Sequence, residues 1–191
     1  MIWIVFLVFL AAVGIGSYIW LNKEVLSEVE VQNPAGNAGT ALVVYHPGRG
    51  SFHRRVISGF VEGLVSGRWR VEIATASPQA PSDLSGYDLL VLGSPTYWFT
   101  PSWPVRRYLR RLGDLGGQRT TTVVTGMGAG GRSSALLEKQ VREAGGTLVR
   151  TSLLYWMRPN DDDNYVDTEQ NKALAVETAI QAAREIPLPG E

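Results

Sequence analysis

The 191-residue chain contains no cysteine. That excludes disulfides, thiolate metal centres, a cysteine nucleophile and an acyl-anchored lipoprotein. Histidine is nearly as scarce. His46 and His53 are the whole supply, and both fall in one segment, so a multi-histidine zinc centre elsewhere is excluded. Charge of one sign is missing too. Eighteen basic residues balance eighteen acidic ones. From Thr40 onward 17 basic residues face 15 acidic ones, a surplus of two. This is not the clustered basic excess of a nucleic-acid surface, so no nucleic-acid partner is expected. Nor is it the acidic surface of an electron carrier. No paired acid and base and no metal-ligand cluster stands out, so neither catalytic nor metal-binding residues are assigned.

Charge is absent altogether from Ile2 to Leu21. Twenty residues at about 1.5 Å each span about 30 Å, the thickness of a bilayer's hydrocarbon core. A secretory signal would carry a positive flank, a shorter apolar run and a small-residue cleavage site; no Lys or Arg precedes this run. Trp3 at one end, and Tyr18 and Trp20 at the other, are placed like interfacial aromatic belts. Residues 1–21 are therefore expected to form a single-pass anchor in contact with membrane lipid. Lys23, just behind the span, favours a cytoplasmic soluble part. Residues 22–39 end in Asn33-Pro34-Ala35-Gly36-Asn37-Ala38-Gly39 and are expected to be a flexible linker.

Strand and helix patterns then alternate through residues 40–186, followed by a short tail, 187–191. Ala41 to Tyr45 is a continuous apolar run, as in a buried parallel strand. Val56, Phe60 and Leu64 mark a helix at spacing four, with Ser51 as its expected N-cap and Gly67 as its stop. Further strands are expected over Arg70 to Thr75, Leu89 to Leu92, Thr121 to Thr125 and Leu148 to Trp156. Helices are expected around Val105 to Leu112, around Leu136 to Val141, and after Asp167. Five strands alternating with helices imply a parallel sheet covered on both faces.

Three strand ends carry chemistry. Gly48-Arg49-Gly50-Ser51-Phe52-His53 runs into a helix start, where backbone amides, Arg49 and the Ser51 hydroxyl suit a phosphate. It lacks the Gly-Lys-Ser/Thr ending of a P-loop and the dinucleotide spacing. Ser94-Pro95-Thr96-Tyr97-Trp98-Phe99 sets three aromatics together in a loop, where they need a cover: the core, a membrane, a protein or a flat ligand. Thr125-Gly126-Met127-Gly128-Ala129-Gly130-Gly131 suits close approach of backbone to a ligand.

Gly93-Ser94-Pro95-Thr96-Tyr97 after a strand resembles the ring-side loop of the flavodoxin-like family. The order of elements from Thr40 to Arg184 is similar to that family's as well. The resemblance implies a doubly wound α/β fold with five parallel strands in the order 2-1-3-4-5, helices on both faces, and here one transmembrane helix in front. It implies FMN as cofactor at the point where the winding reverses. Its phosphate would lie on Gly48, Arg49, Gly50, Ser51, Phe52 and His53. Its ring would lie between Ser94, Pro95, Thr96, Tyr97 and Trp98 on one side and Thr125, Gly126, Gly128, Gly130 and Gly131 on the other. Two departures are visible: the phosphate loop keeps one hydroxyl, Ser51, and Trp98 and Phe99 stand where a glycine is usual.

The resulting expectation is a membrane-anchored electron-transfer flavoprotein, an FMN-dependent oxidoreductase linked to NAD(P)H or to quinone, exchanging electrons with a quinone or a membrane redox partner. Trp98 and Phe99 should resist a positive φ, which, with the near-neutral charge, favours two-electron over one-electron transfer. The alternative is a cofactor-free binding or assembly module at the membrane. Arg106, Arg107, Arg110 and Arg111 read as a solvated helix face or an anionic-lipid patch, Asp161-Asp162-Asp163 as a solvated turn, and the two histidines as local hydrogen-bonding residues.

Overall fold

The computed structural model describes residues 2–160 and 167–190; the Asp161-Asp162-Asp163 run lies outside the described residues. Five parallel strands form the sheet: β2 (Thr40–Tyr45), β3 (Arg70–Thr75), β4 (Leu89–Tyr97), β6 (Arg119–Gly126) and β7 (Thr147–Tyr155). Their order is β3-β2-β4-β6-β7, the expected 2-1-3-4-5. Two short strands are additions. β1 (Glu30–Gln32) pairs antiparallel with the β3 edge, and β5 (Thr100–Pro101) folds back on the end of β4.

Side chains alternate across each strand, so consecutive residues feed opposite cores. Ala41 and Val43 join Val56, Phe60 and Leu64 of α2 (Ser51–Ser66) and Ala175 and Ala179 of α5 (Thr168–Arg184). Leu42 and Val44 join Val105 and Leu109 of α3 (Trp103–Leu112) and Leu137 and Val141 of α4 (Gly131–Glu143). Burial on both faces explains why β2 reads as an unbroken apolar run. Asp167 caps α5, accepting from the Glu169 and Gln170 amides at 2.8 and 3.1 Å. At α2 the expected Ser51 cap is displaced: Gly50 holds the cap position in an extended conformation with no side-chain bond, and Ser51 is the first helical residue.

The segment expected to be a flexible linker is instead strapped across the sheet. The Lys23 carbonyl accepts from His46 Nε2 at 3.3 Å, Ser27 Oγ accepts from the Thr75 amide at 3.0 Å, and Glu30–Gln32 then runs along β3. Asn33 Nδ2 closes the strap on the Trp69 carbonyl at 2.9 Å. An open strand edge offers unpaired amides and carbonyls, and the β-branched Val31 suits the pairing. The Pro-Gly part makes the turn back into β2.

In front stands α1 (Ile2–Leu21), a helix long and apolar enough to cross a membrane. Trp3 to Val13 are exposed all round, while Gly14, Tyr18 and Leu21 are half-buried on one stripe. At a period of 3.6 these three share a face, so the last two turns of α1 rest against the domain.

Candidate functional site

β2 is followed by α2 on one face of the sheet and β4 by α3 on the other. This reversal opens a crevice at the carboxyl ends of the strands. The three loops expected to carry chemistry all end there, but the structure uses them differently.

The β2–α2 turn is closed. His46 and His53 are buried at 1% and 4% exposure. His53 reaches down from the first turn of α2 to Thr125 on β6, with Nδ1 and Oγ1 2.9 Å apart. Burial pushes the His53 imidazole down to about 3 and His46 down to about 4, so both are neutral at physiological pH. Gly48 has φ +69°, and a Cβ there would come within 3.0 Å of the Tyr97 hydroxyl. Tyr97 sets its ring edge-on to His46, 6.1 Å between centroids. Arg49 does not reach into the crevice. Its guanidinium donates to the Trp20 carbonyl at the end of α1 and lies 4.6 Å from the centre of the Trp20 ring. Phe52 packs against the core. Of the six residues expected to hold a phosphate, Arg49, Gly50 and Ser51 are exposed. What this end offers an anion is the Ser51 hydroxyl and the uncapped amides of the first turn of α2.

The β4–β5 tip is open. Trp98 and Phe99 link Tyr97 to Thr100 in a two-residue hairpin, with φ +50° and +60°. Positive φ at both central residues is what a type I′ turn requires. The expectation that these bulky residues would resist it is overturned by the pairing around them. Thr100 Oγ1 donates to the Tyr97 carbonyl at 2.9 Å, and the Ser102 amide donates to Ser94 Oγ at 2.8 Å. Such strain, on the order of 1–2 kcal/mol per residue, persists where the surroundings over-determine it. Ser94 and Pro95 are buried supports of this hairpin.

Opposite the tip, the β6–α4 turn leaves a cavity of about 340 Å³ lined by Phe99, Gly128 to Ser133, Tyr155 and Arg158. Two buried hydroxyls beside it, Thr96 Oγ1 and Ser133 Oγ, have no hydrogen-bond partner among the described residues. A Cβ on Gly130 would lie 3.6 Å from Thr96 Oγ1. Thr125 and Gly126 do not line the cavity; they are tied to His53 and to the Trp156 amide. The cavity is at the small end of the range for ligand sites. An aromatic wall, glycine backbone and unpaired hydroxyls fit the edge of a flat polar ring. Tyr155 and Arg158 were missed in the sequence. Their signal was the run Tyr155-Trp156-Met157 at the end of β7, an aromatic strand end like Tyr97-Trp98-Phe99.

No sequence family model matches the chain, and no curated protein matches it. Solved structures do. A flavodoxin from the domain Archaea matches with a TM-score of 0.57 at 17% identity, over 77% of this chain and 98% of its own. An NAD(P)H:quinone oxidoreductase from Methanothermobacter marburgensis matches with 0.58 at 17%, over 78% and 96%. An azoreductase from Bacillus anthracis matches with 0.57 at 12%, over 76% and 99%. The fold is flavodoxin-like, a doubly wound α/β sheet with an additional helix in front.

Proposed function

We propose that the chain is a membrane-anchored flavin-binding redox protein. The observation that carries this is the cleft between the Trp98–Phe99 tip and the glycines of the β6–α4 turn, at the switch point of a flavodoxin-like sheet. Bound FMN would supply a ring that takes up and releases electrons, while the protein supplies position and electrostatics. Phe99 would cover one side of the ring and keep water from it. Thr96 and Ser133 would donate or accept at its polar edge. The phosphate would rest on the first-turn amides of α2 and on Ser51, with Arg49 contributing charge from its place against Trp20. No side chain needs to act as an acid or base in this scheme.

The anchor makes a lipid-soluble quinone or a membrane redox partner the electron exchange partner, with NAD(P)H as a candidate donor. The near-neutral surface does not oppose uptake of an electron pair, which supports two-electron transfer. Lys23 supports a cytoplasmic domain.

Full-length protein in detergent should carry yellow colour or take up FMN with quenching of flavin fluorescence. Phe99→Ser should weaken FMN about tenfold, the order of one lost aromatic stack. A colourless protein that leaves FMN fluorescence unchanged would favour the second reading, a cofactor-free module at the membrane. The closed β2–α2 turn, with Arg49 on Trp20 and Tyr97 over Gly48, is what supports that reading.

A further inference from the structure

From residue 33 onward, every exposed large hydrophobic side chain among the described residues lies at the carboxyl edge of the sheet. These are Trp98, Phe99, Met127, Trp156 and Met157. Trp98 and Phe99 are 63% and 60% exposed at the hairpin tip, and Met127 and Met157 are 60% and 61% exposed in adjoining loops tied by a 2.7 Å backbone bond. Clustering of this kind marks a contact surface.

The position of α1 says what the surface meets. A Cβ on Gly14 would lie 3.7 Å from the Trp98 ring. Gly14 is seven residues before Leu21, which is about 10 Å along the helix. The helix free of the domain, residues 2–13, is then about 18 Å long, against a hydrocarbon core of about 30 Å. If the domain stayed wholly outside the bilayer, the span would be too short. The shortfall, about 12 Å, is close to the stretch of α1 from Gly14 to Leu21 that rests against the domain.

Charge is layered to match. Arg106 donates to the Tyr18 hydroxyl at 3.3 Å, Arg49 to the Trp20 carbonyl, and Arg107 pairs with Glu24 at 3.2 Å. The cations therefore sit at the level of residues 18–24, where headgroups lie, and the uncharged aromatic tip sits one to two turns deeper.

We propose that the Trp98–Phe99 hairpin and the neighbouring Met127 loop insert into the bilayer beside α1, so that the candidate cleft opens at the boundary between headgroups and acyl chains. This rests on the reading of α1 as a membrane anchor. Its consequence is that a lipid-soluble partner reaches the cleft without leaving the membrane.

The cysteine-free chain allows a direct test. Phe99→Cys, Met127→Cys, Phe9→Cys in α1 and Ser85→Cys in the exposed loop before β4 are each reconstituted, full length, in phosphatidylcholine–phosphatidylglycerol vesicles. Labelling by a membrane-impermeant maleimide is normalised to the population that Ser85→Cys reports as accessible. Phe99→Cys and Met127→Cys should label at least about tenfold more slowly than Ser85→Cys, as for side chains buried at the acyl boundary. A fluorophore on either should be quenched by lipid spin-labelled near the headgroup. Rapid labelling at both positions with Phe9→Cys protected overturns insertion and leaves the anchor standing. Rapid labelling of Phe9→Cys as well overturns both. Slow labelling without lipid quenching means that protein covers the tip, and also overturns insertion.

Discussion

Around the β2–α2 turn, side chains are packed into the protein: His53 bonds Thr125 and Arg49 bonds the Trp20 carbonyl, while His46 Nδ1 and His53 Nε2 are buried without a partner among the described residues. Around the β4–β5 tip and the β6–α4 turn, Trp98, Phe99 and Met127 face outward, and Thr96 and Ser133 keep unpaired hydroxyls. Both regions are glycine-rich strand ends in the same crevice. Loop composition therefore does not distinguish a sealed turn from an open one. What distinguishes them is how far a neighbouring element covers them: α1 and β6 close over the first turn, whereas the tip meets α1 only where Trp98 lies beside Gly14, and both of its rings stay mostly exposed.

The sharpest way to break this contrast is acid. The buried histidines titrate in the folded state at about 3 and about 4, below their ordinary 6.5. Protonation therefore favours the unfolded chain. Their contribution is intact above about pH 6.5 and is lost as pH falls toward the folded values. Between pH 7 and pH 5 the pair should cost on the order of 2–4 kcal/mol, read as a falling urea midpoint. His53→Gln should flatten that decline; a midpoint unchanged from pH 7 to pH 5 would mean that the histidines are not sealed.

A glycine pair compares the two regions at one residue type. A Cβ at Gly93, beneath the sealed turn, would stand 2.6 Å from Tyr45 Cβ and 2.5 Å from Ile57 Cδ1, whereas Gly131 in the open cleft has nothing within 4 Å. Gly93→Val should destabilise by about 2–3 kcal/mol through overpacking. Gly131→Ala should stay within about 0.5 kcal/mol, as exposed substitutions do. Chemical denaturation of the two variants decides it, and equal losses would erase the distinction.

The smallest effect concerns the tip. Replacing Trp98-Phe99 by Asn-Gly suits the type I′ turn and should raise stability by about 1 kcal/mol through relief of positive φ. The same change should weaken flavin uptake. Unchanged FMN affinity would show that the tip serves only as a turn or as a membrane contact.

Much of the fold was legible because it depends on local pattern. Continuous apolar strands, spacing-four helices, the Asp167 cap and the Gly67 stop each follow from the residues that form them. The parallel strand order came from the resemblance of the Gly93 to Tyr97 segment and agrees with the pairing found. The candidate site was legible as three strand ends, not as a surface. The strap over residues 22–39 is not legible in the sequence because its partners, Thr75 and the β3 edge, lie about 40 to 50 residues away along the chain. By local pattern Arg49 reads as an anion donor because its competitor, the Trp20 carbonyl, lies on a helix that the same pattern assigns to a membrane.

The sequence by itself determined an uncharged helix long enough for a bilayer and an alternating α/β domain with glycine- and aromatic-bearing strand ends. These are properties of period, charge and side-chain volume along a continuous segment. Only the tertiary structure decided that Trp98 and Phe99 take left-handed conformations, that one loop is closed and its neighbour open, and that α1 rests beside the aromatic tip. Each of those depends on which distant group fills a particular hydrogen bond or covers a particular ring, and that is set by packing across the sheet.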